Sequence, residues 1–251
     1  MRTEDFGRCW QGEVARRLAR EAHPNAGADQ IEAAAKALYE EKATHFLVRT
    51  IEVAKLLRPH VSFGYWDMSP GRVEMGDSET QAALKPLWAA VDALFPSIYL
   101  PGPKPNDGNT EFVKQKLGAA RALADEQQPP LPIFVYTQPE YLSVWSSGDA
   151  PPLNGSDFDA EYVLPGKFGI AGLVLYGESV DGATAKRCKT MLGWEEQVLL
   201  PSLKTSIAER NACAARRCGG HGRCVDFEPA NFSCACMGGF AGARCERRVH
   251  Q

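Results

Sequence analysis

The sequence predicts an α/β chain in which parallel strands alternate with helices, followed by a small disulfide-dense module. Three observations predict it. Four short runs rich in β-branched and aromatic residues, Val61 to Trp66, Ser97 to Leu100, Pro132 to Thr137 and Gly172 to Gly177, start 36, 35 and 40 residues apart. Apolar residues at helical spacing lie between them. Of the eight cysteines, Cys213, Cys218, Cys224, Cys234, Cys236 and Cys245 fall within the last 39 residues.

Taken in chain order, the first element is a long helix opened by Asp29, with Glu32 three residues on, and closed at Arg58-Pro59; Ile31, Ala34, Ala35 and Leu38 share its apolar face. The run at Val61 is the first strand. A second helix follows, with Asp77 and Ser78 where an N-cap belongs and Leu84, Leu87, Trp88, Val91, Leu94 and Phe95 on one face. The remaining runs are nearly all apolar, as in a parallel sheet covered on both faces.

A period of 35 to 40 residues per strand and helix suits a (β/α)8 barrel, but eight units need about 250 residues for the barrel alone. Four strands are visible before Glu209, which points to the C-terminal half of a TIM-type barrel over residues 1–208 and a separate module over residues 209–251. An open doubly wound sheet is the rival, and its Gly-rich phosphate loop is not found. With 44% apolar residues in 251 the chain can bury a core, and a net charge of −3 offers no broad cationic face for nucleic acid. The longest apolar stretch, Phe168 to Gly177, is ten residues and holds three glycines, against the roughly 20 of a membrane span. Residues 1–20 carry no apolar signal-peptide core.

The tail reads C-x4-C-x5-C-x9-C-x-C-x8-C. So short a segment cannot offset its chain entropy without staples, each disulfide contributing about 2 to 4 kcal/mol. Zinc is disfavoured because Cys234 and Cys236 are one residue apart, unlike the paired knuckles of structural zinc sites. Six cysteines allow about 15 connectivities, which spacing alone leaves open. The glycines and Phe240 of the last half resemble an EGF-like module, and that resemblance implies Cys213–Cys224, Cys218–Cys234 and Cys236–Cys245. The calcium-binding variety of module has acidic ligands before its first cysteine; this chain has Ala208-Glu209-Arg210-Asn211-Ala212. Disulfides and the sequons at Asn154 and Asn231 agree with an oxidising, exported setting.

Three motifs carry a wider resemblance: Ala93-Leu94-Phe95-Pro96-Ser97-Ile98-Tyr99-Leu100-Pro101, Ile170-Ala171-Gly172-Leu173-Val174-Leu175-Tyr176-Gly177, and Cys218-Gly-Gly-His221-Gly222-Arg223-Cys224-Val225. In order and spacing, from about Trp10 to Arg247, they closely resemble the hyaluronidase family of glycoside hydrolases. The resemblance implies a distorted TIM-type barrel with an EGF-like module and cleavage of the β-1,4 link after N-acetylglucosamine in hyaluronan, or in chondroitin. In that chemistry a glutamic acid protonates the leaving oxygen while the substrate's own N-acetyl carbonyl attacks the anomeric carbon.

The family acid lies in an Asp-x-Glu motif at the end of the fourth barrel strand, and no such strand-end motif is found here. Asp77-Ser78-Glu79 and Asp159-Ala160-Glu161 read as carboxylates in the first turn of a helix, and neither follows an apolar run. No catalytic residue is therefore assigned. The resemblance assigns Tyr99 to the acetamido subsite. The family's Trp-Gly-aromatic-Tyr strand is here Phe63-Gly64-Tyr65-Trp66, so Trp66, or Tyr65 if the strand shifts, takes the place of a tyrosine, and Tyr176 replaces a strand-end tryptophan.

Cys188 matches a family cysteine whose usual partner is not in the sequence, and Cys9 is the one candidate substitute. The histidines are scattered, so no metal or other cofactor is expected. The expected partner is a glycosaminoglycan, hyaluronan or chondroitin, with no nucleic acid and no membrane span; the EGF-like module is a candidate binder of an unidentified protein. Two functions compete: a secreted, extracellular or lysosomal hydrolase whose signal peptide and first half lie upstream, the chain itself being inactive, and a non-catalytic extracellular protein that binds a glycan or a protein. The first accounts for both absences at once.

Overall fold

The computed structural model describes residues 10–67, 78–142, 152–177, 184–228 and 231–249. They divide into two compact units, one of residues 10–64 with 78–92, the other of 65–67 with the rest of the chain.

The first unit is three helices, α1 (Trp10–Ala22), α2 (Ala28–Leu57) and α3 (Ser78–Ala90). α1 and α2 meet through small side chains, with Ala15, Ala19, Ile31 and Ala35 buried and Ala34 and Tyr39 packed against them. The expected pairing of Asp29 with Glu32 does not form the start of α2. Instead the Gly27 N–H donates to Gln30 Oε1 at 3.1 Å, while Glu32 accepts from Arg16 Nε and Nη2 at 2.7 and 2.9 Å. An arginine on the neighbouring helix competes successfully for that carboxylate because it binds through two donors.

α2 ends at Leu57, two residues before Pro59, where the residue preceding a proline is driven out of the helical region. α3 begins at Ser78, with Asp77 outside the described residues, and it stops at Ala90, so Leu94 and Phe95 are not on its face. Lys55 closes its C-terminus, with Nζ 2.5 Å from Ala90 O and 2.7 Å from Asp92 Oδ1. A cation there meets unpaired carbonyls and the negative end of the helix dipole.

The second unit holds the sheet. β1 (Phe134–Thr137) and β2 (Gly172–Leu175) pair in parallel with Phe134 opposite Gly172 and Thr137 opposite Leu175. Leu94 bridges Ile133, Ser97 bridges Tyr136 and Trp66 bridges Phe95, all in parallel. The chain at Trp66, at Leu94 to Ser97, β1 and β2 thus follow one another in parallel, but the runs expected at Val61 and Ser97 contribute single bridges rather than regular strands. Pro96, just before the second of them, contributes no N–H to the ladder, although its carbonyl accepts from the Tyr136 N–H at 2.9 Å. Ile133 and Val135 are fully buried, whereas β2 is half-exposed and Leu175 is exposed, so β2 is not covered on both faces as its composition suggests.

α4 (Gly108–Glu126) buries Val113, Leu117, Ala120 and Ala124, and its Lys116 reaches the sheet. After β1 the chain enters α5 (Gly155–Phe158), a π-helical turn over Asp159–Val163 and a 3-10 turn over Leu164–Lys167. After β2 come α6 (Ala185–Trp194), a second π-helical turn at Glu195–Leu199 and α7 (Leu200–Arg217). Phe158, Tyr162 and Trp194 pack as a three-ring cluster, and Trp194 Nε1 donates to Leu153 O at 3.0 Å.

The tail is two antiparallel pairs, β3 (Gly222–Glu228) with β4 (Asn231–Cys236) and β5 (Phe240–Ala241) with β6 (Arg247–Arg248). Disulfides join Cys213 to Cys224, Cys218 to Cys234 and Cys236 to Cys245. Gly222 is required where it stands, since a Cβ there would lie 2.5 Å from Cys245 Sγ. Cys213 is carried by α7, so one helix runs through residues 208 and 209 into the tail. Cys188 is exposed and unbridged, and Cys9 lies outside the described residues. Among the described residues no helix is long and apolar enough to cross a membrane, and no group of three His, Cys, Asp or Glu could hold a metal.

Candidate active site

In a parallel β/α sheet the C-terminal strand ends are where side chains from separate strands converge. Three of the four aromatic candidates meet there. Tyr99 follows the bridge at Ser97, Tyr176 follows β2 with its N–H donating to Thr137 O at 2.8 Å, and Trp66 sits beside Phe95. The Tyr99 ring lies 6.0 Å from that of Tyr176 at 22°, and 6.4 Å from Trp66 at 35°. Tyr99 is 8% exposed, while its flanking rings are 54% (Trp66) and 39% (Tyr176) exposed. The result is an aromatic cleft with a recessed phenol between two open faces. Tyr65 is half-buried and, being next to Trp66 on an extended backbone, leaves from the opposite face.

Burial pushes the Tyr99 phenol up to about 12, against the opposing effect of a hydrogen bond from Trp66. Tyr99 therefore keeps its proton across the physiological range and can donate it. A phenol next to open aromatic faces can hydrogen-bond a carbonyl while the rings pack on an apolar group.

Carboxyls also stand at these strand ends. Asp67 Oδ1 accepts from Ser97 Oγ at 2.6 Å and Ser97 N at 3.3 Å. Lys116 Nζ is 3.7 Å from that oxygen and donates to Ser97 O at 2.6 Å. Glu140, three residues past β1, is buried against Arg187 of α6 at 2.6 Å, and burial raises its pKa in spite of the guanidinium.

Glu161 stands in the first turn of a helical segment, as expected, but that turn is π-helical and its carboxyl is fully buried, where Oε1 accepts from the Gln138 N–H and the Leu100 backbone also bonds the carboxyl. It joins the ends of two neighbouring strands. Burial pushes its pKa well above 4.5, outweighing those backbone bonds, and Asp157 adds to the rise.

That shift gives a pH dependence. With its folded pKa raised, the native state binds the Glu161 proton more tightly than the unfolded chain does, so this group's stabilising effect is present below the unfolded pKa and is lost as pH rises. Glu161→Gln is therefore expected to raise the melting temperature at pH 7 relative to wild type and to leave it nearly unchanged at pH 4. Calorimetry of the two proteins at both pH values checks this; a Gln variant that is less stable at pH 7 contradicts it.

Tyr99, Trp66 and Tyr176, named from the sequence, come together in the structure. Asp67, Lys116, Glu140 and Arg187, which stand beside them, were not named, although a charged residue directly after an apolar run, as at Asp67, is the kind of signal that finds such groups.

The hyaluronidase family profile matches residues 9–231. Hyaluronidase-3 of Sus scrofa is 27% identical over 284 aligned positions, covering 97% of this chain and 67% of the relative. A chondroitin hydrolase of Caenorhabditis elegans is 26% identical over 250 positions, covering 92% and 54%. Bee venom hyaluronidase, solved in complex with a hyaluronic acid tetramer, superposes with a TM-score of 0.65 at 20% identity, covering 80% of this chain and 66% of that one. The chain spans from about half to two thirds of the length of these relatives. With the profile matched over most of the sequence, the chain belongs to the hyaluronidase family.

Proposed function

We propose that the chain supplies the acetamido-binding side of a hyaluronidase-type glycoside hydrolase that cleaves the β-1,4 link after N-acetylglucosamine in hyaluronan or chondroitin. The observation that carries this reading is the cleft formed by Trp66, Tyr99 and Tyr176 at the ends of parallel strands. The recessed Tyr99 hydroxyl donates to the acetamido carbonyl, and the flanking rings receive the methyl group and the sugar face. The chain alone binds the polymer without cutting it, because Asp67, Glu140 and Glu161 are each buried and held by other groups.

In this reading residues 1–208 are the C-terminal half of a barrel and residues 209–251 an EGF-like module. The boundary marks a change in what holds the chain together, from apolar burial to three disulfides, and α7 carries the backbone across it. The disulfides support an oxidising compartment, extracellular or lysosomal, and the module remains a candidate contact for a protein partner.

Tyr99→Phe tests the site. Loss of one buried hydrogen bond costs about 1 to 3 kcal/mol, so the Kd for a chondroitin or hyaluronan oligosaccharide is expected to rise roughly five- to a hundredfold. Titration calorimetry on both proteins measures it. An unchanged Kd removes Tyr99 from the site and returns it to the core.

A further inference from the structure

Trp66 is the most exposed ring of the cleft, yet the residue after it is among the most constrained in the second unit. Asp67 is buried and adopts a left-handed backbone with φ of 55°, a conformation uncommon outside glycine that aspartate tolerates better than most side chains. Its N–H donates to Phe95 O at 2.9 Å, and its carboxylate takes both the hydroxyl and the N–H of Ser97. Lys116, itself buried, completes the knot from α4, lying 3.7 Å from the carboxylate, 2.6 Å from Ser97 O and 5.2 Å from the centre of the Phe112 ring. Buried ion pairs contribute little net stability once desolvation is counted, and their best-attested use is to fix one arrangement among several.

We propose that Asp67 and Lys116 are positioning residues that hold Trp66 against Tyr99 and thereby set the opening of the aromatic cleft for an N-acetylhexosamine ring. The geometry ties the two strand segments that carry these rings: Asp67 adjoins Trp66 in the chain, and Ser97 lies two residues before Tyr99. The carboxylate fixes the first segment to the second, and the ammonium fixes the second to α4. Without Lys116, the buried carboxylate loses the cation 3.7 Å from it and the left-handed turn at Asp67 has less to hold it. Trp66 then swings over more than one position. The ligand class rests on the proposed glycan-binding function; the positioning of Trp66 does not.

The test uses the whole chain labelled with 5-fluorotryptophan, the Trp66 resonance being assigned by its disappearance in Trp66→Phe. In Lys116→Met the Trp66 fluorine line is expected to shift or broaden, and the affinity for a chondroitin tetrasaccharide to fall at least fivefold. Lys116→Arg, which keeps the cation, is expected to restore both. Should Lys116→Met not fold, the near-isosteric Asp67→Asn provides the same two readouts and the same expectation. A folded variant with an unchanged Trp66 line overturns the positioning role. A wild-type chain that binds no tetrasaccharide, but whose Trp66 line still responds to Lys116→Met, overturns the glycan reading and leaves the positioning role standing.

Discussion

Incubated with purified hyaluronan or chondroitin between pH 4 and 7, the chain with its disulfides formed is expected to release no reducing ends above background. A leaving sugar oxygen must be protonated as its bond breaks, and a positioned general acid supplies about 10² to 10⁴ in rate. In the proposed reaction the substrate's N-acetyl group serves as nucleophile and cannot supply that proton. Among the described residues, the carboxyls at the strand ends are committed elsewhere: Asp67 to Ser97 and Lys116, Glu140 to Arg187, and Glu161 to backbone donors out of reach of solvent. Glu161 holds a proton tightly, as an acid catalyst must, but a fully buried carboxyl cannot approach a polymer. Glu79→Gln and Glu161→Gln are the controls. Robust release of reducing ends that either substitution abolishes would show that one of these carboxyls is the acid.

The second large effect is expected in the tail. The Cys218–Cys234 bridge closes a segment with a sequence separation of 16, and a loop of that size restricts the unfolded chain by about 3 kcal/mol. The tail's buried cluster consists of Cys218, Cys224 and Cys245, with Phe240 packed against it, so little apolar surface replaces a lost bridge. Replacing Cys218 and Cys234 together by alanine is expected to deprotect the amides of β3 and β4 to hydrogen exchange while those of β1 and β2 stay protected. Loss of protection in both sets together would show that tail and sheet unfold as one unit.

The sequence reading recovered the sheet better than the helix ends, for physical reasons. Runs such as Pro132 to Thr137 are recognisable because burial and β-branching leave few other uses for them, and they emerged side by side in parallel. Apolar spacing could not show where α3 stops, since Leu94 and Phe95 fit its face as well as they fit the sheet. Proline position did not settle it either, since Pro86 lies inside α3 and the helix stops at Ala90, well before Pro96. Glu32 was misassigned because its partner, Arg16, is in another helix.

Tyr99 and Tyr176 were named through the family resemblance, and their places near the ends of apolar runs suited that assignment. The burial of Glu161 could not be read: its first-turn position was visible from the Gly155-Ser156-Asp157 turn before it, but that its carboxyl is buried is a tertiary fact. Asp67 and Lys116 are 49 positions apart and come together only when α4 lies against the sheet. Neither local propensity nor spacing encodes that contact.

The Trp66, Tyr99 and Tyr176 cleft is proposed to receive the acetamido group of a glycosaminoglycan. Saturation-transfer difference NMR on hyaluronan and chondroitin tetrasaccharides measures which ligand protons touch the protein. The strongest transfer is expected at the acetamido methyl of one N-acetylhexosamine, sharply reduced in Tyr176→Ala and in Trp66→Ala. Equal transfer along the whole oligosaccharide, or methyl transfer that survives both substitutions, would contradict it.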